Sequence, residues 1–452
     1  VTFAASIAQS VLRKSADPCS QWGPLLLVFV VATWAVGYFA GFTFSLAVLT
    51  AASLLASIVG IFRPGLGLLG ISMLCTLDSV TRFYLLSGGL LRWNTINYLL
   101  LLLMIVFLPI TLRITDIHTR LLAALFLLMM VQLAVTSSLE AGVFAILNVS
   151  AAFGLLVCVL RAAGDPTAVV WVAWVNGVLA AAGGVVYYLQ YDELPLMNHN
   201  AWSQFPLGAI FAVCLAFPYA SGRARGQLAI LAMISGTWVF LSGSRGGALI
   251  GLICMIYLLR NLRGFASKIK VAIVAAAIAG SVLGAFSDFG DRAESRIGKL
   301  FDADRSLENR TSGRSDLVRA GWYFFLQHPL GIGTGGFASE FANLHNDDFE
   351  GRSVGAHSAW VRTLAENGIL GLVLVTMYVL SFAAANGKHR PRELRSLGIL
   401  VSMILASAFL SREFHSKGLW FVAAVYAAMS SPEYAPFRGE RPQKAVLPAG
   451  RA

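Results

Sequence analysis

The chain has 452 residues, 57% of them hydrophobic and 13% charged, with a mean hydropathy of +0.72 and a net charge of +11. A soluble domain is about a quarter charged, so this composition excludes an ordinary water-facing domain and points to lipid as the solvent. The basic excess does not imply a nucleic-acid partner, because no basic run is interleaved with aromatics; cytoplasmic loops of membrane proteins collect Lys and Arg.

Roughly 20 apolar residues cross about 30 Å of hydrocarbon, and only helices or closed barrels satisfy their backbone groups there. The apolar runs here are long and unalternating, so the expected fold is an all-α polytopic membrane helical bundle. In chain order the candidate spans are 24–42, 44–62, 65–86, 95–112, 120–138, 141–160, 167–189, 204–220, 226–242, 246–260, 269–286, 364–385, 395–411 and 417–430. The first two have almost no loop between them, and the run 226–260 is broken only at Ser242-Gly243-Ser244-Arg245-Gly246-Gly247. No signal-peptide cleavage pattern is seen, and the first span is expected to act as its own insertion signal. Of Cys19, Cys75, Cys158, Cys214 and Cys254, four lie in apolar runs and none has metal-ligand spacing. They are expected to be small core residues, and neither a metal nor a cofactor is expected.

Cations alternate along the loops. With Arg13 and Lys14 in the cytoplasm, Arg63, Arg113 and Arg120, Arg161, Arg223 and Arg225, Arg260 to Lys270, and Lys388 to Arg395 all fall on the same side. The opposite short loops hold only Arg92, Arg245, and Arg412 with Lys417. This predicts cytoplasmic N- and C-termini. It divides the chain into an N-terminal transmembrane bundle (1–286), an outer loop region (287–356), C-terminal transmembrane helices (357–430) and a disordered cytoplasmic tail (431–452). In a Gram-negative cell the outer loop is periplasmic. It opens with a charged stretch, Asp288 to Arg310. An amphipathic helix is expected over about 313–327, with Leu317, Val318, Trp322, Phe325 and Leu326 at helical spacing. Gly331-Ile332-Gly333-Thr334-Gly335-Gly336 then breaks the chain; no strand precedes it, so it is read as a backbone turn, not a nucleotide loop.

An arginine at the centre of a span costs about 2.5–3.5 kcal/mol, so arginines at outer span ends are candidate anion ligands. They are Arg82, Arg92, Arg245, Arg352 and Arg362, with Arg310 and Arg314 in the outer loop. Arg82 stands four residues after Asp78 and can pair with it instead; Arg92 can snorkel to the headgroups. Arg245 sits in a glycine- and serine-rich turn that opens a helix. Glycines there allow close approach of a phosphate, and the helix N-terminus adds partial positive charge. His357 begins the span after the outer loop, where the helix dipole favours the neutral imidazole that a general base needs. An interfacial histidine that merely hydrogen-bonds remains the other reading. His345 and His328 compete as bases; His328 precedes Pro329 at a helix end and reads as structural. Glu366 would not share a face with His357 and is expected to pack within the bundle.

Four segments together resemble the O-antigen ligase and polymerase family. They are Ser242-Gly243-Ser244-Arg245-Gly246-Gly247, Gly313-Arg314-Ser315-Asp316 to Trp322, His328-Pro329-Leu330-Gly331-Ile332-Gly333, and His357-Ser358 running on to Glu366-Asn367-Gly368 and Gly371. The motifs cover about 240–375, and the hydropathy profile extends the likeness over the chain; the ligase branch is the nearer one. The resemblance implies a metal-independent membrane glycosyltransferase of GT-C type with 12–14 spans. Its donor would be an undecaprenyl-pyrophosphate-linked glycan, its acceptor lipid A–core, and its site would face the periplasm from the inner membrane. It also implies two essential arginines and a histidine, which by motif fall on Arg245, Arg314 and His357. From the outer arginines above, Arg82 and Arg310 are expected to be further pyrophosphate ligands. The family commonly has about twelve spans, and an Asn often follows the histidine where Ser358 stands here. A polymerase with the same donor is the nearest alternative. A transporter is a more distant one, since no inverted repeat is seen and polar groups cluster on one side.

Overall fold

The computed structural model describes residues 19–60, 63–84, 117–162, 166–190, 199–262, 314–344, 357–384, 392–411 and 417–430. The described residues are almost entirely helical and contain no strand. In order the helices are α1 (Cys19–Ala40), α2 (Phe42–Val59), α3 (Pro64–Tyr84), α4 (Ile117–Gln132), α5 (Leu139–Ala162), α6 (Pro166–Leu189), α7 (His199–Ala216), α8 (Gly222–Leu241), α9 (Arg245–Asn261), α10 (Arg314–Gln327), α11 (Phe337–Leu344), α12 (Ala359–Ala384), α13 (Arg392–Ser411) and α14 (Lys417–Ser430). Nine of these are long and apolar enough to cross a membrane; α7, α9 and α14 hold shorter apolar stretches. The expected spans 95–112 and 269–286, and the charged stretch before Arg314, lie outside the described residues.

Both closely spaced pairs are separate helices. The chain reverses at Gly41 (φ 102°), where Trp34 stacks on Phe42 and the Ser45 hydroxyl donates to the Thr33 carbonyl at 2.8 Å. It reverses again at Gly243 (φ 66°) between α8 and α9.

Lipid offers no hydrophobic drive between apolar helices, so close packing must hold them together. Gly60 and Gly67 face each other backbone to backbone where α2 turns into α3, and Gly70 lies against Ser53 and Ser57. Helix α14 is buried on every side except at Gly418 and sits against α3, α5, α7 and α13, as an all-round apolar helix should. Large apolar side chains such as Val28, Phe39, Leu55, Val131, Leu252 and Leu380 point outward. That much exposed apolar surface fits a hydrocarbon surround, not water.

Two ends of the bundle can be told apart. Helix α4 runs antiparallel to α12: His118 meets Ser381 at 2.6 Å at the far end, while Met129 and Asn367 share the Thr334 hydroxyl at the other. The second end carries α10 and α11 and is called the loop end below. Helix α10 lies beside the head of α12 and runs the same way, with Gly321 against Val361 and Pro329 bonded to Ile369. A small core of Leu317, Ala320, Phe324, Phe337, Phe341 and Ala365 fastens it there.

That docking divides the apolar residues of α10 in two. Leu317 is buried, whereas Val318, Trp322 and Leu326 face outward, because Ala320 and Phe324 take the inner side. The single apolar face expected from spacing is therefore two faces.

Candidate functional site

The turn between α8 and α9 is built by its capping residues. Ser242 ends α8 and its hydroxyl accepts from the Ser244 N–H at 3.2 Å. Gly243 supplies the positive φ that reverses the chain. Ser244 caps α9 by accepting from the Gly247 N–H at 3.2 Å. Arg245 is then the first residue of α9, at the positive end of its dipole. Gly247 is held against Ser203 near the start of α7.

His357 and Ser358 form the head of α12. The Ser358 hydroxyl accepts from Val361 N–H at 3.4 Å and donates to the Phe409 carbonyl at 3.0 Å, so one side chain caps α12 and ties it to the end of α13. His357 precedes that cap and is exposed. Its φ is 50°, and among the described residues it is the one non-glycine with a positive φ. Such a conformation costs an L-residue roughly 1–2 kcal/mol and clusters at functional positions.

Helix α13 acts as a ruler between the two. Its Phe409 end holds Ser358, while Arg392 and Ser396 at its start share a cavity with Arg260 and Asn261 at the end of α9. Ile253 and Met403, farther along each helix, line the same cavity, so α9 and α13 pack antiparallel and Arg245 stands at the same end as His357. Arg314 opens α10, whose parallel course beside α12 carries its head to that end too. Arg82 lies in the last turn of α3, four residues after Asp78. Arg92, Arg310, Arg352 and His345 lie outside the described residues. The structure thus brings the starts of α9, α10 and α12 to the loop end.

Two expected candidates have other work. Arg362 Nε donates to both oxygens of Glu366, at 3.1 and 3.0 Å. Glu366 is 1% exposed and also accepts from the Phe337 N–H at the head of α11, at 3.3 Å. It packs within the bundle as expected, and it engages Arg362, which was read as an anion ligand. His328 is exposed after α10, and its carbonyl accepts from Gly331 N–H at 2.8 Å, a turn contact.

The glycine run 331–336 is a seam. Helix α12 is broken at Gly368 (φ 62°, ψ −159°). The carbonyls of Ala365 and Glu366 accept from the N–H groups of Ile332 and Gly333, at 2.9 and 3.0 Å, and Ile369 N–H donates to Pro329 at 3.1 Å. Gln132 Nε2 adds a bond to the Leu330 carbonyl at 2.6 Å, and Ser137 one to Ser339 at 2.7 Å. The seam locks the loop to α4, α5 and α12 and so fixes where α10 and the head of α12 stand.

One buried group was missed. Lys417 was read as a loop cation, yet it is 1% exposed. Its neighbour Gly418 rests on the Cys75 backbone and on Gly208, and both Asp78 and Lys417 act on Cys75. Lys417 opens a helix that is apolar all round, the pattern of a helix enclosed by its bundle, and that pattern was a readable signal. Intramembrane charges of this kind are costly and usually functional.

Fold and site define a polytopic helical membrane protein whose chemistry-bearing helix starts gather at one end. Residues 229–376, about a third of the chain, match the family model described as O-Antigen ligase. That stretch is therefore similar to an O-antigen ligase domain, as its motifs suggested, and the match supports a membrane enzyme of the O-antigen ligase and polymerase type. The match runs from within α8 to within α12 and contains Arg245, Arg310, Arg314 and His357; Arg82 lies before it. A comparison with curated proteins found no match.

Proposed function

We propose that the protein transfers an O-antigen glycan from undecaprenyl pyrophosphate to a sugar hydroxyl of lipid A–core, at the periplasmic face of the bacterial inner membrane. The observation that carries this reading is His357: exposed, at a positive φ, heading α12 at the end where Arg245 opens α9, and inside the ligase match.

In the reaction His357 takes the proton of the acceptor hydroxyl. The hydroxyl oxygen attacks the anomeric carbon as the bond to pyrophosphate breaks, and the configuration inverts. Undecaprenyl pyrophosphate leaves with the electron pair. Arg245 and Arg314, with Arg82 and Arg310, hold the pyrophosphate and neutralise charge growing on the departing oxygen; guanidinium groups bind phosphate bidentately. A pyrophosphate is already a good leaving group, so the residues of this chain need no metal or nucleotide for the step. The N- and C-termini face the cytoplasm in this reading.

The outward stripe Val318, Trp322, Leu326 and Leu330 supports a lipid-linked donor. It continues into Ile369, Leu370 and Val373 on the outward face of α12, so the outward side of α10 borders the bilayer at its C-terminal end. The acceptor is tested by giving the purified protein a lipid-linked glycan and lipid A–core alone. Glycan appearing on lipid A–core supports the ligase; chain growth on the lipid carrier, with lipid A–core unlabelled, would assign a polymerase instead.

A further inference from the structure

The far end of the bundle, opposite His357, holds a cavity of about 780 Å³ between α9, α13 and the α7–α8 turn. Four arginines line it, Arg225, Arg260, Arg392 and Arg395, against one acid, Glu393. None of them serves the proposed transfer, which lies at the loop end.

Arg225 is held in place. Its Nη2 donates to the Pro218 carbonyl at 3.0 Å, and its guanidinium carbon stands 5.9 Å from the Phe217 ring centroid. Its Nε is buried and has no hydrogen-bond acceptor among the described residues. A buried donor left unmatched costs on the order of 1–3 kcal/mol, so an anion at this position would relieve it.

Apart from Asn261, Ser396 and Tyr257, the rest of the wall is apolar. Ile256, Ile399 and Met403 line the cavity and also face outward from the bundle. A site that joins several guanidinium groups to a lipid-facing apolar wall fits an amphiphile with a phosphate head. Basic pockets between transmembrane helices are the usual seats for such headgroups, and arginine matches phosphate geometry better than lysine does.

We infer that this cavity binds the phosphate headgroup of an anionic phospholipid, from the leaflet opposite the transfer site, with an acyl chain along Ile256, Ile399 and Met403. The bound lipid bridges α9 to α13, the same pair that aligns Arg245 with His357.

The test uses the full-length protein in neutral detergent and follows thermal unfolding with added phosphatidylglycerol, phosphatidylcholine or inorganic phosphate. Phosphatidylglycerol is expected to raise the unfolding temperature by a few degrees and the other two not to. The double variant Arg260→Gln/Arg392→Gln, changed at two exposed helix-end positions, is expected to lose that shift, and Arg260→Lys/Arg392→Lys to keep part of it. If the glutamine variant does not fold, lipid retained by the wild type through delipidation and read by native mass spectrometry replaces it. Equal shifts from phosphatidylglycerol and phosphatidylcholine, or no anionic lipid retained, would overturn the inference. An equal response to inorganic phosphate would make it a soluble-anion site and also overturn it. These readouts are of binding, so they are independent of whether glycan transfer is found.

Discussion

Gly331 and Gly368 face each other across the seam between the outer loop and α12. A Cβ on Gly331 would collide with the Glu366 carbonyl, and one on Gly368 with the Pro329 carbonyl. Both residues have positive φ, and Gly368 occupies a region that is essentially glycine-only. The break at Gly368 is what frees the α12 carbonyls to bind the loop.

Gly368→Ala is therefore expected to lower stability by at least about 2 kcal/mol and to expose the loop to protease. Gly226→Ala is the control, since Gly226 is helical and has open space where its Cβ would stand; no loss is expected there. Thermal unfolding with limited proteolysis reads both. A Gly368→Ala protein as stable and protected as the wild type would show that the seam does not hold the loop.

Removing one partner of the Arg362–Glu366 pair leaves a buried charge. Glu366→Met is expected to cost about 3 kcal/mol. In a double-mutant cycle, Arg362→Met should cost much less in the Glu366→Met background than alone. Additive losses would mean that the pair is not coupled.

The head of α12 makes an opposite prediction for stability and activity. Glycine accepts φ 50° without the penalty His357 bears, so His357→Gly should leave stability unchanged or raise it by up to about 1 kcal/mol while transfer is lost. A marked fall in unfolding temperature would identify His357 as a packing residue instead.

Trp322 faces outward on α10, on the stripe that continues onto α12. Trp322→Glu should reduce transfer from a long-chain lipid-linked donor in bilayers and leave transfer from a short-chain donor in detergent near the wild-type rate. Equal loss with both donors would place Trp322 in the folding of α10 rather than at the lipid boundary.

The spans were legible because lipid imposes a length and a composition on every crossing helix. The turn at Ser242–Ser244 was legible as a break, although capping explains its serines more directly than anion binding does. Other features depend on contacts between distant segments. The spacing of α10 gave its apolar residues but not which of them would meet Phe337 and Phe341, so its two faces read as one. The break at Gly368 sits inside an apolar run and follows from its meeting with Pro329. The Arg362–Glu366 pair was readable from its four-residue spacing and was overlooked because each residue was weighed alone. Arg245, Arg314 and His357 are far apart in the chain, and their common location follows from α13 lying between α9 and α12.

The most direct test of the central claim is glycan transfer from purified undecaprenyl-pyrophosphate-linked donor to lipid A–core by the purified protein and its His357→Ala variant, with unfolding temperatures measured alongside. The account predicts a fall in rate of at least about 100-fold at an unchanged unfolding temperature. Transfer by a folded His357→Ala protein at close to the wild-type rate would contradict it.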